Sequence, residues 1–177
     1  RKVVERVDQT VGLALDLWNT ITIDTDGPAG HVENIGSEAA LLADAENFTV
    51  TAMRTLAKEF GRELPPFALT AETNVPVSRG LGSSVAALVS GLVAANHLLD
   101  LGLTPTELFS RAWEIEWHGD NVGAAMFGGA LLSVPGIRRV VPLLAEREPG
   151  FTTVVFIPEA TGATWAARAA LPNQVPH

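Results

Sequence analysis

The sequence predicts an α+β domain, and three observations lead to that class. Short segments in which apolar and polar residues alternate read as half-buried strands, whereas other segments carry apolar residues at helical spacing. These segments follow one another without strict β-α-β alternation, which argues against a doubly wound parallel sheet. The 177 residues, 47% hydrophobic and 18% charged, suffice to bury a core, and no repeat or low-complexity linker divides them.

The first half of the chain is expected to hold a strand, a helix and a second strand. Residues 11–24 alternate and are rich in β-branched and aromatic types, which predicts one strand ended by a turn at residues 27–30. Residues 44–60 show helical spacing, and Gly61 is a stop signal just past the end. Residues 67–73 alternate again and predict the second strand.

Two helices are expected next. The first is a long apolar helix over residues 85–99. The second begins at Thr104 as N-cap, with Pro105 at its first position and Glu107 closing a capping box. We expect this second helix to end near Gly119.

The last part of the chain is expected to be rich in strands. Residues 130–134 and 137–141 predict a hairpin, and residues 152–157 predict a further strand. Residues 161–170 predict a closing helix.

Composition excludes several classes of function. The chain has no cysteine, so it can have no disulfide and no thiolate nucleophile, and any metal must be bound by oxygen or imidazole. Twelve basic and twenty acidic residues give a net charge of −8, which argues against a nucleic-acid partner. The apolar runs are too short for a membrane span and residues 1–10 show no signal peptide, so a cytoplasmic location is expected.

The segment before the long apolar helix has the features of an anion site. Gly80 and Gly82 allow close approach of the backbone to a phosphate, and Ser83 and Ser84 begin a helix whose first N–H groups favour negative charge. No lysine follows the glycines, so the segment is not a Walker A loop. For these residues alone, a structural turn with Ser83 as a simple N-cap remains an equal alternative.

Longer motifs carry a resemblance to a known family. The pattern Pro76-x-x-x-Gly80-Leu81-Gly82-Ser83-Ser84 resembles the phosphate-binding signature of the GHMP kinases. VPVSRGLGSS at residues 75–84, followed by GLVAAN at residues 91–96, is most similar to the homoserine kinases within that family. GLALDLWN at residues 12–19 is similar to the family's N-terminal strand, and EWHGDNV at residues 116–122 resembles its E-G-H-P-D-N-V segment.

The resemblance implies a fold and a domain division. Residues 1–145 would form the GHMP kinase N-terminal domain, which is like domain 2 of ribosomal protein S5. Residues 146–177 would form only the opening of the ferredoxin-like C-terminal domain. The family's segment P-A-T-S-A-N-L-G-P-G-F-D is replaced by residues 1–10, and its third glycine-rich motif would lie beyond residue 177, so a truncated chain is expected.

The resemblance also implies ATP and Mg²⁺ as cofactors. Ser84 and Glu114 match the magnesium ligands, and oxygen ligands of this kind suit a hard divalent cation. Asn47 matches a position that contacts adenine. The other residues that match the nucleotide site are Pro76, Arg79, Gly80, Leu81, Gly82 and Ser83.

For the acceptor, the resemblance implies a small molecule, L-homoserine, whose side-chain hydroxyl receives the γ-phosphoryl group of ATP. His118, Asp120 and Asn121 match the substrate region, and Asp120 with Asn121 are the catalytic candidates, although no base is assigned. Thr164 and Arg168 match a segment whose arginine holds the amino-acid carboxylate, a role that suits a guanidinium; an exposed surface helix is the alternative.

Two other functions stay open at this point. The chain resembles other GHMP kinases as well, so the acceptor can instead be an isoprenoid or sugar alcohol. Alternatively, the chain is a non-catalytic module that binds a nucleotide or dimerises. In that last case the apolar excess would mark a surface for the absent half of the enzyme or for a partner subunit, and a homodimer is the candidate assembly.

Overall fold

The computed structural model describes residues 10–43, 46–134, 137–144 and 152–157. Among them are six strands, four α-helices and one turn of 3₁₀ helix at Ala39–Leu42. The strands are β1 (Thr10–Leu13), β2 (Thr20–Asp24), β3 (Val32–Ile35), β4 (Ala68–Glu72), β5 (Ala130–Val134) and β6 (Arg139–Leu144). The helices are α1 (Phe48–Glu59), α2 (Ser83–Leu98), α3 (Pro105–Glu116) and α4 (Gly119–Phe127).

The strands form two three-stranded sheets, and the α+β class is confirmed. One sheet has the order β1-β5-β6 with antiparallel pairs throughout. The other has the order β2-β4-β3, in which β2 is antiparallel and β3 parallel to β4. The parallel pair is possible because α1 forms the crossover between β3 and β4.

Helices cover both sheets and close the core. Buried Leu69 and Ala71 of β4 join one apolar cluster with residues of all four helices. Helices α1 and α2 lie very close together at Gly91, where an added Cβ atom would come within 2.3 Å of the Thr49 carbonyl oxygen. Helix α4 lies on the other sheet, where a Cβ atom at Gly12 would meet the Asp120 carbonyl oxygen. The first turn of α1 thus packs against the middle of α2.

Several predicted elements are confirmed. Helix α3 begins with the predicted capping box: Thr104 Oγ1 accepts a hydrogen bond from the Glu107 N–H, and the Glu107 carboxylate accepts one from the Thr104 N–H at 2.8 Å. The backbone and side-chain hydrogen bonds from Thr104 hold the pKa of the Glu107 carboxyl below its ordinary value. Strand β5 has its predicted bounds and β6 is its hairpin partner, shifted by a few residues.

The prediction of one strand over residues 11–24 is wrong. The chain leaves the first sheet after β1 and enters the second at β2, so the two strands belong to different sheets. Asn19 anchors the crossing, because its Oδ1 atom accepts hydrogen bonds from the N–H groups of Asn74 and Val75, both at 2.9 Å. Periodicity cannot report such a change of sheet, since both strands alternate.

Other boundaries also differ. Helix α1 begins four residues later than predicted, because the Asn47 side chain caps it by accepting from the Val50 N–H. Gly119 does not end α3 but begins α4, a helix that the sequence analysis did not predict. Residues 152–157 form no strand, and the helix predicted for residues 161–170 lies outside the described residues. No helix in the described part of the chain is long and apolar enough to cross a membrane.

Candidate functional site

A cavity of about 800 Å³ opens where the N-terminal turns of α1 and α2 meet the second sheet and the α3–α4 junction. This volume is within the range of small-molecule sites. The cavity is also lined by Thr49 and Thr73, two buried hydroxyl side chains. It brings together nine of the predicted site residues: Asn47, Pro76, Gly80, Leu81, Gly82, Ser83, Ser84, His118 and Asn121.

The glycine-serine loop forms one wall of the cavity. Gly80 and Gly82 have φ angles of 74° and 76°, in the left-handed region that glycine adopts without strain. Gly82 is the N-cap of α2, so the alternative of Ser83 as a simple N-cap is wrong. The N–H groups of the first helical turn have no acceptor within the helix, and this turn lies at the cavity. The loop can therefore receive an anion with backbone donors and the positive end of the helix dipole.

Glu38 holds the segment that leads into this loop. Its Oε2 atom accepts a hydrogen bond from the Val77 N–H at 2.9 Å and pairs with Nη1 of Arg79 at 3.0 Å. Both charged side chains are mostly buried, with 14% and 16% of their surface exposed. Arg79, predicted to bind the nucleotide, is not among the described residues that line the cavity, and its guanidinium pairs with Glu38.

The end of the cavity at α1 is lined by two asparagines. Asn47 Nδ2 donates a hydrogen bond to Oδ1 of Asn34 at 3.0 Å, while Asn47 Oδ1 accepts from the Val50 N–H at 3.2 Å. Leu42 and Phe48 line the same end and supply apolar surface. This end offers a flat ligand both apolar contact and amide groups.

The end of the cavity at the α3–α4 junction is polar. Glu116, His118 and Asn121 line it, and Trp117 between them adopts a left-handed φ of 63° that turns the chain from one helix into the next. Asp120 does not line the cavity, and its Oδ1 accepts a hydrogen bond from the Asn121 N–H at 2.9 Å. The structure thus brings two of the three predicted acceptor residues to the cavity.

The two glutamates of α3 have different surroundings. Glu114, the predicted magnesium ligand, is exposed and forms an ion pair with Arg138 outside the cavity. Glu116, two residues later, lines the cavity that Ser83 and Ser84 also line. A carboxylate and hydroxyls that share a cavity with a phosphate site are the oxygen ligands that Mg²⁺ accepts, with substrate phosphate completing its shell. These residues therefore fit a magnesium-bound nucleotide.

The structure also shows lining residues that the sequence analysis missed. Asn34 and Thr73 gave no local signal, because they belong to no contiguous motif. Asn19 is the last residue of the GLALDLWN segment, but nothing in that segment marked it as a lining residue. Glu116 had a signal, since it is the first residue of the EWHGDNV segment. Thr164 and Arg168, the predicted carboxylate-binding residues, lie outside the described part of the chain.

Comparison with known proteins adds a second line of evidence. Residues 47–129 match the family model of the GHMP kinases N terminal domain. The chain is 36% identical over 166 residues to the homoserine kinase of Moorella thermoacetica, covering 94% of this chain and 56% of that protein. It is 37% identical over 174 residues to the homoserine kinase of Clavibacter michiganensis, covering 95% and 54%.

A solved structure gives the same result. The crystal structure of homoserine kinase from Cytophaga hutchinsonii superimposes with a TM-score of 0.65 at 26% identity, covering 89% of this chain and 52% of that one. The chain thus spans a little over half the length of the curated relatives that it matches.

Proposed function

Because the chain belongs to the GHMP kinase family, we propose that it binds magnesium-ATP and forms the nucleotide-binding part of a homoserine kinase. Such an enzyme transfers the γ-phosphoryl group of ATP to the side-chain hydroxyl of L-homoserine, giving O-phospho-L-homoserine. The observation that carries the proposal is the cavity shared by the phosphate loop, Glu116 and the His118–Asn121 segment. A donor and an acceptor of a phosphoryl group need such a common space.

The nucleotide would lie along the cavity with its phosphates at α2. The free N–H groups of the first turn of α2 and the flexible backbone at Gly80 and Gly82 support this assignment. The adenine would lie at the α1 end, where Asn47 and Phe48 line the cavity. Glu38 would keep the loop in its receptive shape through Val77 and Arg79.

Magnesium would be held by Glu116 and by a hydroxyl of the serine pair, for which Ser84 remains the assigned residue. When bound, the ion neutralises charge on the phosphates as the phosphoryl group moves. The first turn of α2 favours the same negative charge with its dipole. Positioning and charge compensation are the main contributions that a protein makes to this reaction.

The acceptor would bind beside Glu116. His118 and Asn121 line this part of the cavity and can hydrogen-bond a small polar substrate. Asp120 as a catalytic residue, and Thr164 with Arg168 as carboxylate-binding residues, stay assignments made from the family resemblance. Dimerisation, cytoplasmic location and the domain boundary after residue 145 likewise stay predictions.

A calorimetric titration of the chain with magnesium-ATP, with and without L-homoserine, tests the proposal. We expect saturable binding that homoserine strengthens. Replacing Glu116→Gln is expected to weaken magnesium-ATP binding by about tenfold or more, because it removes a charged ligand. Glu114→Gln is the matched control on the same helix and is expected to leave binding unchanged, because Glu114 pairs with Arg138 outside the cavity.

Different outcomes separate the competing functions. Weaker magnesium-ATP binding in Glu114→Gln but not in Glu116→Gln would assign the metal ligand to Glu114, the residue first predicted. Strengthening by mevalonate instead of homoserine would indicate another GHMP kinase. ATP binding that no acceptor changes would indicate a nucleotide-binding module, and a folded sample that binds no nucleotide would refute the proposal.

A further inference from the structure

Three hydrogen bonds at the α1 end of the cavity form one directed chain. Asn34 Nδ2 donates to the Leu42 carbonyl oxygen at 3.4 Å, Asn47 Nδ2 donates to Asn34 Oδ1 at 3.0 Å, and the Val50 N–H donates to Asn47 Oδ1 at 3.2 Å. Both asparagines and Leu42 line the cavity. The three bonds thus link the 3₁₀ turn, β3 and the N-terminus of α1, which all border the cavity.

The backbone groups at the two ends fix the orientation of both amides. The Val50 N–H can only donate and the Leu42 carbonyl can only accept. An amide turned by 180° would place its NH₂ group against the Val50 N–H, or its oxygen against the Leu42 carbonyl, and lose the bond. The Asn47 oxygen therefore stays at the helix end and its nitrogen stays toward Asn34.

This arrangement limits what Asn47 can offer a ligand. Its NH₂ group has two N–H donors, and Asn34 Oδ1 takes one of them. One N–H and the second lone pair of Oδ1 remain. Adenine presents an acceptor, N7, next to a donor, the N6 amino group, whereas guanine presents two adjacent acceptors, N7 and O6. One donor beside one acceptor complements adenine and leaves a guanine oxygen opposite the amide oxygen.

We infer that Asn34 is a positioning residue that sets the preference of the cavity for adenine over guanine nucleotides. It does so by holding the NH₂ group of Asn47, because the bond to Asn34 Oδ1 opposes the rotation that would bring this NH₂ group opposite the guanine oxygen. The inference rests on the proposed function, because it requires the base of a nucleotide to lie at the α1 end. It assigns a role to a residue of β3 outside the phosphate loop.

Titration of the chain with magnesium-ATP and magnesium-GTP tests the inference through the ratio of the two affinities. Asn34→Leu has nearly the same shape but no acceptor, so it removes the bond that holds the NH₂ group of Asn47 in its orientation. We expect this variant to lower the ATP-to-GTP affinity ratio by about tenfold, the value of one hydrogen bond near an unpaired polar group. Asn34→Asp keeps an acceptor for Asn47 and is expected to keep the ratio within about twofold of the unchanged chain.

Inorganic tripolyphosphate, which has no base, is the reference ligand. It is expected to bind all three proteins equally, because Asn34 hydrogen-bonds to Leu42 and Asn47 and not to the phosphate loop. An unchanged ratio in Asn34→Leu, an equal loss in Asn34→Asp, or weaker tripolyphosphate binding in Asn34→Leu would each overturn the inference. A chain that binds ATP and GTP equally would overturn it as well.

Failure of the proposed function looks different. In that case the unchanged chain binds neither nucleotide nor tripolyphosphate, although its circular dichroism shows a folded protein. If Asn34→Leu does not fold, Asn34→Ala carries the same expected fall in the ratio. Thermal unfolding of each variant identifies which case applies.

Discussion

Gly119 lies directly against the ring of Trp113. A Cβ atom at this position would come within 2.0 Å of Cζ3 of the indole. The ring is fixed from its other side, because Trp113 packs edge-on against Phe109 with centroids 5.3 Å apart. Gly119 stands where the similar E-G-H-P-D-N-V segment has proline, and in this chain the indole occupies the space that a side chain at residue 119 would need.

Replacing Gly119→Ala is therefore expected to destabilise the chain by about 1–3 kcal/mol, the usual cost of overpacking. Chemical denaturation followed by circular dichroism measures the change. The double variant Trp113→Leu with Gly119→Ala should lose less unfolding free energy than the sum of the two single changes, because leucine lacks the ring atoms that clash with the new methyl group. Additive losses would contradict a direct contact between the two positions.

At the scale of elements, the contact between α1 and α2 depends on Gly91. An added Cβ atom there would lie 2.3 Å from the Thr49 carbonyl oxygen and 2.7 Å from the Ala52 Cβ atom. The helices approach closely because Gly91 has no side chain and Ala52, opposite it, has only a methyl group. The contact holds the first turn of α1, which lines the cavity, against the middle of α2.

Replacing Gly91→Ala tests this contact through the sign of the effect. In an ordinary helix interior alanine is more stable than glycine by about 0.5–1 kcal/mol. Here the clash with backbone atoms should outweigh that gain and give a net loss of about 1–3 kcal/mol. Urea unfolding measures it, and Ser90→Ala on the same helix is the control. A stabilised Gly91→Ala chain would show that the helices separate at no cost.

The elements that the sequence predicted well are those with complete local signals. Helix α3 has its capping box, and β5 is a short apolar segment that follows the pair Gly128-Gly129. Strand β3 was missed because it does not have the usual pattern of buried apolar and exposed polar residues. Its apolar residues Val32 and Ile35 are exposed, whereas the polar residue Asn34 lines the cavity. Helix α4 was missed because it is short and begins immediately after Trp117.

The candidate site shows the same limit. The phosphate loop is contiguous in sequence, so Gly80 through Ser84 could be predicted. The choice between Glu114 and Glu116 could not be made locally, because residues two apart on a helix point in directions about 200° apart. Which direction faces the cavity depends on how α3 packs, and that is a tertiary property.

At the scale of the whole molecule, negative charge shapes ligand binding. The chain has a net charge of −8, and Glu46 and Glu116 both line the cavity. A nucleoside triphosphate is itself an anion, so these negative charges repel free ATP, and the α2 dipole offsets the repulsion only in part. Magnesium bound between Glu116 and the phosphates would turn one repulsive contact into an attractive one.

Magnesium-ATP should consequently stabilise the fold far more than ATP alone. At a ligand concentration about one hundred times Kd, binding adds about 2.7 kcal/mol, which raises Tm by roughly 5–10 °C for a chain of this size. Thermal unfolding by circular dichroism measures the shift, and ATP with a chelator is expected to give a much smaller one. Equal shifts with and without magnesium would contradict a metal-dependent site.

The left-handed residue at the α3–α4 junction has an optical consequence. Trp117 is 81% exposed and lies between Glu116 and His118, both of which line the cavity. The sequence has no tyrosine and four tryptophans, so its ultraviolet emission comes from tryptophan. Trp113 is buried in the core, and Trp18 is exposed like Trp117. Trp117 is thus an intrinsic fluorophore beside the cavity, and a change in its emission wavelength or intensity on ligand binding would report occupancy without an attached dye.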